Sequence, residues 1–534
     1  MSDEPSTKSR KRVRQACEPC RRKKGRCSGE KPVCALCSRL GQACTWADLT
    51  EDPQLFDVPQ SSVPVNDYVA TQENGRSSVR DSQTEHWEDK LDEVLSHVRA
   101  LASVRGPPST EIDLMEADKS QSATLPSEET VRKAARLYLQ YCHNQPLPLF
   151  DTIQFETRLL TLDPEIRLCV CVIALRFEND LLKAYAEETS SYIETARYLV
   201  SKRLDSGHVE LSTIQALCLL CFADWSNGQP QRAGTYLALA VELAQSSRLD
   251  LCAHTSVQHT KYAAHVRCLW SIVMLRYLCG GVGMFTMSVS TSGLIYPQSS
   301  TSNSLASNTQ QIDTIVGDAH DLGVVAYAAQ MTEVWYRVRQ YVQHRGREDQ
   351  CPPWSSHSTY TKIMFRQMEL ESQMPHKHRF KPSGFTEHDI TVLSTNRQYW
   401  APWLYLQLVY HAIVCTLNHP LLLSLHLRRF RVKQVPELFL QHIQDMLTTH
   451  TDWVIHLLEI AAEKQFDFSD PFLAQFVAIV GTIFLQQSFT ADENLRAEKQ
   501  GKYRQCLRFV QNLGGHWRRA FEMVSKTNHN VTLI

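Results

Sequence analysis

Six cysteines crowd together near the start of the chain, at Cys17, Cys20, Cys27, Cys34, Cys37 and Cys44. Their spacing is C-x2-C-x6-C-x6-C-x2-C-x6-C, so the last three cysteines repeat the pattern of the first three. Thiolate sulfur suits zinc, which takes four ligands in a tetrahedron. Six thiolates complete two such tetrahedra if two of them bridge both metals. The repeat requires the bridging pair to be equivalent, and Cys17 and Cys34 are the best candidates.

The alternative is one four-cysteine zinc site with two spare thiols, and the duplicated spacing argues against it. So small a unit has almost no apolar core, so bound metal must supply its folding free energy, of order 10 kcal/mol for structural zinc. The chain has 17 cysteines, an odd number, and its first residues form no apolar export signal. These features favour reduced thiols and a metal site over disulfides. The predicted cofactor is two zinc ions per chain.

A basic run separates the second and third cysteines. It contains Arg21, Arg22, Lys23, Lys24 and Arg26. A short helix that starts near Cys17 would hold these cations in a compact array, able to neutralise phosphates and to offer lysine to guanine edges in the major groove. The alternative is a charge run on a solvated face. We predict double-stranded DNA as the partner of this run.

A second basic segment, the arm 1–16, precedes the cysteines. Its cations are Lys8, Arg10, Lys11, Arg12 and Arg14. It is interpreted as a nuclear import signal, a phosphate-contacting arm, or both, which predicts a nuclear location. Residues 1–46 hold twelve Lys/Arg and four Asp/Glu, a net charge of +8, whereas the whole chain sums to −1. A basic head on an acidic body indicates that one end meets a polyanion.

The segment from Cys17 to Cys27, with Lys31-Pro32 before Cys34, closely resembles the fungal C6 binuclear zinc cluster of transcription factors. The resemblance implies a DNA-binding domain over residues 17–46, with bridging by Cys17 and Cys34. It also implies that Lys23 and Lys24 read a CGG-type triplet, and that Pro32 shapes the loop between the two halves.

Residues 47–127 are expected to form a flexible linker that carries one short helix, 87–101. The apolar residues of that helix follow a heptad spacing: Trp87, Leu91, Val94, Val98 and Leu101. The family resemblance places a dimerisation helix here, which predicts a coiled-coil homodimer; the alternative is a lone amphipathic helix that docks on the body. Acidic and apolar residues mix at 46–58 and 111–118, which suggests either an activation segment for a coactivator or a solvated linker.

From residue 128 to about 525, helical periods dominate and strand alternation is missing. Two helices on either side of Asn227-Gly228 are expected to form a hairpin, and residues 297–312, 345–360 and 372–388 are expected to be mobile loops. The fold class predicted is mostly α: a small N-terminal zinc cluster, a flexible linker with a short coiled-coil helix, and a large all-α body. This body resembles the family's regulatory (middle homology) domain, which implies a response to a ligand or partner.

Motifs for other functions are weak. The longest mainly apolar run identified, 472–485, is shorter than the roughly 20 residues of a membrane span, so no membrane is expected as a partner. Cys218 and Cys221 fall on the apolar face of a predicted helix and are interpreted as core, and His376-Lys377-His378 is assigned to a loop with no identified partner. No phosphate-binding loop or nucleophile elbow is found, so no catalytic residue is predicted.

These observations predict a zinc-dependent, sequence-specific DNA-binding transcription factor and not an enzyme. The family context suggests regulation of RNA polymerase II transcription of a metabolic or secondary-metabolite gene cluster through CGG-type half-sites. The alternative hypothesis is that the helical body is a sensor of a small-molecule effector, or, ranked lower, an enzyme, with DNA binding as its targeting device.

Overall fold

The structure is a computed structural model, and the chain divides into two compact units, Met1–Ser78 and Val79–Ile534. The structure describes residues 17, 20, 27–28, 33–41, 44, 125–178, 184–207, 209–247, 260–280, 321–343, 351–429 and 435–531. The basic arm, most of the linker and the predicted coiled-coil helix lie outside these residues. No strand occurs in the described ranges, which agrees with the mostly α prediction.

In the first unit the described helix is α1, Ala35–Arg39. The body begins with α2 (Glu128–Tyr141), α3 (Phe155–Thr161), α4 (Pro164–Ala174), α5 (Ala184–Asp205), α6 (Leu211–Ser226), α7 (Pro230–Ser246), α8 (Thr260–Cys279) and α9 (Val324–Gln343). It continues with α10 (Thr359–Gln373), α11 (Phe380–Ser383), α12 (Ile390–Thr395), α13 (Arg397–Leu417), α14 (Pro420–Arg429), α15 (Glu437–Glu463), α16 (Leu473–Gln487), α17 (Glu493–Gly514) and α18 (Arg518–Val531).

The predicted hairpin is confirmed as α6 and α7, joined by a tight turn at Asn227-Gly228-Gln229. The sequence suggested a single apolar face on α6, but every residue from Thr213 to Ser226 is buried. The reason is tertiary, since α4, α5, α7, α8 and α18 all pack around this helix. A helix that is surrounded in this way has no solvent-facing side, and its one charged side chain, Asp224, must find partners inside the body.

A second group of helices packs around α13, which contacts α9, α15 and α16. Indole rings fill its centre: Trp335, Trp400 and Trp403 are all fully buried. The run Arg397–Arg428 is long enough to cross a membrane and contains a window that is apolar enough to do so, a feature that was not expected from the sequence. Of its most apolar window, 72% is buried inside the body, which is the placement of a core helix.

The segment 372–388 was expected to be a mobile loop, and this expectation is wrong. It forms α11 and two 3-10 turns, His376–His378 and Phe385–Glu387. The ring of Phe385 is buried and stacks on Trp403 at a centroid distance of 5.2 Å. His378, which the sequence left without a partner, contacts Tyr399 through Nδ1 at 3.0 Å and Asp321 through Nε2 at 3.1 Å. This segment is held in place by contacts with residues that are distant in sequence. No local sequence pattern reveals such contacts.

A pair of histidines is buried between α13 and α15. The Nδ1 atoms of His411 and His450 are 2.9 Å apart, so one must carry a proton and the other must accept it. Burial lowers the pKa of His450 to about 4, and burial together with the neighbouring His450 lowers the pKa of His411 well below its usual value. Both rings are therefore neutral at pH 7.

We expect this pair to make the body less stable in acid. Between pH 6.5 and pH 4 the unfolded chain protonates at these histidines while the folded chain does not, so the free energy of unfolding falls as the pH falls. Buried Asp470, whose pKa is raised to about 7 by burial, acts in the opposite direction over the same range. His450→Gln should reduce the loss of stability between pH 7 and pH 5 by about 2 kcal/mol, measured by urea unfolding at both pH values.

The matched control is His442→Gln, which removes an exposed histidine from the same helix. This substitution should leave the difference in unfolding free energy between pH 7 and pH 5 as it is in the unmodified chain. Equal effects of the two substitutions would contradict the assignment to the buried pair.

Candidate metal centre

Six sulfur atoms converge in the first unit. Cys17, Cys20, Cys34 and Cys37 are fully buried, and Cys27 and Cys44 are half-buried beside them. Two groups of four have all their sulfurs within 4.8 Å of one another. One group is Cys17, Cys20, Cys27 and Cys34, and the other is Cys17, Cys34, Cys37 and Cys44. The two groups share Cys17 and Cys34, the pair that the repeat of the sequence identified as equivalent.

The sulfur–sulfur distances fit a zinc site. Zn–S bonds of about 2.3 Å in a tetrahedron place the ligand sulfurs about 3.8 Å apart. In the first group Cys17 is 3.6 Å from Cys34 and 3.8 Å from Cys27, and Cys20 is 3.5 Å from Cys34. In the second group Cys17 lies 3.6 Å from Cys37. A disulfide would bring sulfurs to about 2.0 Å, so this packing is that of metal ligands and not of cystines.

Local backbone structure aims these sulfurs. Cys34 is the N-cap of α1, and its Sγ accepts a hydrogen bond from the backbone N–H of Cys37 at 3.4 Å. The backbone N–H of Cys34 points at Sγ of Cys44, 3.3 Å away, and that of Ala35 donates to Ser28 Oγ at 2.9 Å. The C-x2-C spacing therefore places two sulfurs in the first turn of a helix, because positions N-cap and N3 face each other across that turn.

The protonation of these thiols follows from their packing. Burial raises the pKa of Cys20 to about 12 and also raises the pKa of Cys17 and Cys44. The backbone N–H of Cys37 lowers the pKa of Cys34, since it stabilises the thiolate. The raised pKa values favour the protonated thiols of Cys17, Cys20 and Cys44 at neutral pH, so metal binding by these three ligands releases protons.

The predicted DNA-contacting cations, Arg21, Arg22, Lys23, Lys24 and Arg26, lie outside the described residues, as do the basic arm and the heptad residues. Of the segment 20–27, the structure describes only the two cysteines at its ends, Cys20 and Cys27. In the body, Cys218 and Cys221 are fully buried, which confirms their interpretation as core. One feature that the sequence did not reveal is an arginine-lined cleft in the body, because its residues come from four separate segments.

Residues 15–52 match the family model of the fungal Zn(2)-Cys(6) binuclear cluster domain. This match, together with the two groups of four sulfurs, confirms the predicted cofactor of two zinc ions. No solved structure matches the chain.

Curated relatives also resemble the chain, and two of those described here extend the likeness beyond this domain. An uncharacterized transcriptional regulatory protein of Schizosaccharomyces pombe is 23% identical over 45% of the chain and 32% of its own length. A Zn(2)-C6 fungal-type transcription factor of Fusarium oxysporum f. sp. lycopersici is 22% identical over 71% of the chain and 48% of its own length. The quinic acid utilization activator of Emericella nidulans is 43% identical over 44 residues, 8% of the chain and 5% of its own length. The chain thus spans half or less of the length of these relatives.

Proposed function

We propose that this chain is a zinc-dependent DNA-binding transcription factor that acts in the nucleus on RNA polymerase II promoters. The observation that carries the proposal is the pair of four-sulfur groups that share Cys17 and Cys34 within a Zn(2)-Cys(6) domain. In this proposal Cys17 and Cys34 bridge the two zinc ions, and the other four cysteines each bind one. The similarity to a transcriptional regulatory protein and to a Zn(2)-C6 fungal-type transcription factor supports the same function.

The basic run between Cys20 and Cys27 is the proposed reader of DNA. Two zinc ions and six thiolates carry a formal charge of −2, and the five cations of the run exceed it. Because both ends of the run are tied to metal ligands, its cations are presented as a compact array. Lys23 and Lys24 are proposed to contact the guanines of a CGG-type half-site, with Arg21, Arg22 and Arg26 on phosphates.

Two single substitutions separate base reading from phosphate binding. Lys24→Ala should cost about 1–3 kcal/mol of binding free energy at one base position and relax the preference there. Arg10→Ala should weaken all sequences alike and lower the slope of log K against log salt by about one unit. Fluorescence anisotropy on specific and random duplexes, over a salt series, measures both effects. Equal losses on both duplexes for Lys24→Ala would refute its role in base reading.

The linker and body take regulatory roles in this proposal. Residues 87–101 are proposed to dimerise the chain so that it reads two half-sites, and the acidic segments 46–58 and 111–118 to contact a coactivator. The body, 128–525, is proposed as a regulatory domain that responds to a small-molecule effector. Metabolic genes, including a secondary-metabolite cluster, are the proposed targets.

Selection of bound sequences from random DNA with the full chain tests the proposal. We expect enrichment of CGG-type triplets, in pairs of fixed spacing if residues 87–101 dimerise. Single triplets would contradict the dimer and leave the DNA-binding role intact. No enriched sequence with the zinc-loaded chain would contradict sequence-specific binding.

A further inference from the structure

A cleft of about 550 Å³ opens on the body where four segments meet. These segments are α4 with the 3-10 turn Leu175–Phe177 after it, α5, the α6–α7 turn with the start of α7, and the α17–α18 turn with the start of α18. Four arginines line it, one from each of four places in the sequence: Arg176, Arg197, Arg232 and Arg518. Small-molecule sites in proteins have volumes of roughly 300–1,000 Å³, so the cleft is of the right size for a metabolite.

Among the described side chains in and around the cleft, cations outnumber carboxylates. Asp224 accepts from both Arg197 and Arg232, and Glu194 also pairs with Arg197. Glu178 pairs with Lys133 outside the lining, and Glu522 pairs with Nε of Arg518 at 2.9 Å. When these partners are counted, the described side chains comprise five cations and four carboxylates, so one positive charge has no acidic partner among them.

The excess charge belongs to Arg176. Its guanidinium has no carboxylate partner among the described residues, since it donates to the carbonyl oxygens of His516 and Val172 at 3.3 and 3.2 Å. It lies 4.0 Å above the ring of Trp517, which fixes its plane. Its Nε is buried and has no hydrogen-bond partner in the described part of the chain. A fixed guanidinium with spare donors is suited to a planar carboxylate or to a phosphate.

The rest of the lining selects the kind of anion. Val172, Leu175 and Ile193 provide apolar surface beside the arginines, and Asn227 and Gln229 provide amide groups. An inorganic ion would leave the apolar surface uncovered, whereas an organic acid would place carbon against it and its charge against the guanidinium groups.

We propose that this cleft binds a small organic acid through the guanidinium groups of Arg176 and Arg518. Arg518 is the second receptor because its side chain is 68% exposed at the rim, and only Nε is engaged with Glu522 among the described residues. We identify this organic acid as the class of effector to which the regulatory body responds, and this identification rests on the proposed function. Binding itself requires neither DNA nor zinc, so the two ideas fail separately.

The test is titration calorimetry and thermal unfolding of the full chain with benzoate, citrate and inorganic phosphate, at constant ionic strength. We expect saturable binding of at least one organic acid, with a melting temperature that rises with its concentration. Arg518→Glu should weaken that binding about tenfold or more, because it places a like charge at the rim. Arg176→Lys keeps the charge but loses the planar fork, and should weaken binding without unfolding the chain.

The matched control is Arg504→Glu, the same change at an exposed position of α17 that does not line the cleft. The Arg504→Glu chain should bind the organic acid as tightly as the unmodified chain does. Equal binding by Arg518→Glu and Arg504→Glu would overturn the site, as would the lack of saturable binding with all three probes. Phosphate bound as tightly as both organic acids would overturn the organic-acid assignment.

Discussion

Replacing Cys34 with serine should remove both zinc ions and abolish sequence-specific DNA binding. Cys34 belongs to both four-sulfur groups, so its loss leaves neither with four thiolates. Serine is a good N-cap residue, so the substitution does not itself weaken the cap of α1, and its effect comes from the lost metal ligand. Because metal supplies of order 10 kcal/mol to a unit of this kind, the N-terminal unit should unfold. Elemental analysis and anisotropy on a selected duplex measure the two losses.

Two further serine substitutions sharpen this test. Cys27 belongs to one group only, so Cys27→Ser leaves the four sulfurs of the other group and should retain zinc in it. Cys351 lies in the body, and Cys351→Ser should leave the zinc content unchanged. If Cys34→Ser and Cys27→Ser retained the same amount of zinc, Cys34 would not be a bridging ligand.

Replacing Asp224 with asparagine should destabilise the body by about 3 kcal/mol. The carboxylate is fully buried, and its oxygens lie 2.6 Å from Arg197 Nη2 and 2.6 Å from Arg232 Nε. Removing its charge leaves two arginines without their shared partner in the interior, and Arg197 is only 14% exposed. Arg232 is 45% exposed and can turn to water, which keeps the loss at the lower end of the range for broken buried pairs.

Urea unfolding of the full chain, followed by circular dichroism of the helices, measures this loss. The control is Asp452→Asn, which breaks an ion pair with Lys502 at 2.8 Å where Asp452 is 47% exposed. An exposed pair contributes about 0–1 kcal/mol, so the control should change the unfolding free energy little. A loss for Asp224→Asn no larger than that of the control would show that the buried pairing does not stabilise the body.

The metal centre could be predicted from sequence because its information is local. Six cysteines within 28 residues, in a repeated spacing, specify ligand type, number and symmetry together. The α6–α7 hairpin was also predictable, since the break at Asn227-Gly228 interrupts a strong helical period. Gly228 has a φ of +79°, a backbone conformation that residues with a side chain rarely adopt, so the turn favours glycine.

The features that were missed depend on contacts between distant segments. The helices of the body were recognised, but the burial of α6 on all sides follows from the five helices packed around it. The partners of His378 are 57 and 21 residues away in sequence, so no local pattern could identify them. Likewise Arg176 reaches the cleft beside Arg518 only because the 3-10 turn after α4 packs against the α17–α18 turn, where His516 meets it.

In the proposed function, two zinc ions hold the N-terminal unit in the shape that reads DNA. The most direct measurement is the zinc content of the full chain and its preference between a selected duplex and random DNA, before and after treatment with a chelator. We expect two zinc ions per chain, loss of the preference when they are removed, and its return when zinc is added back. A metal-free chain that still distinguishes the two duplexes would contradict it.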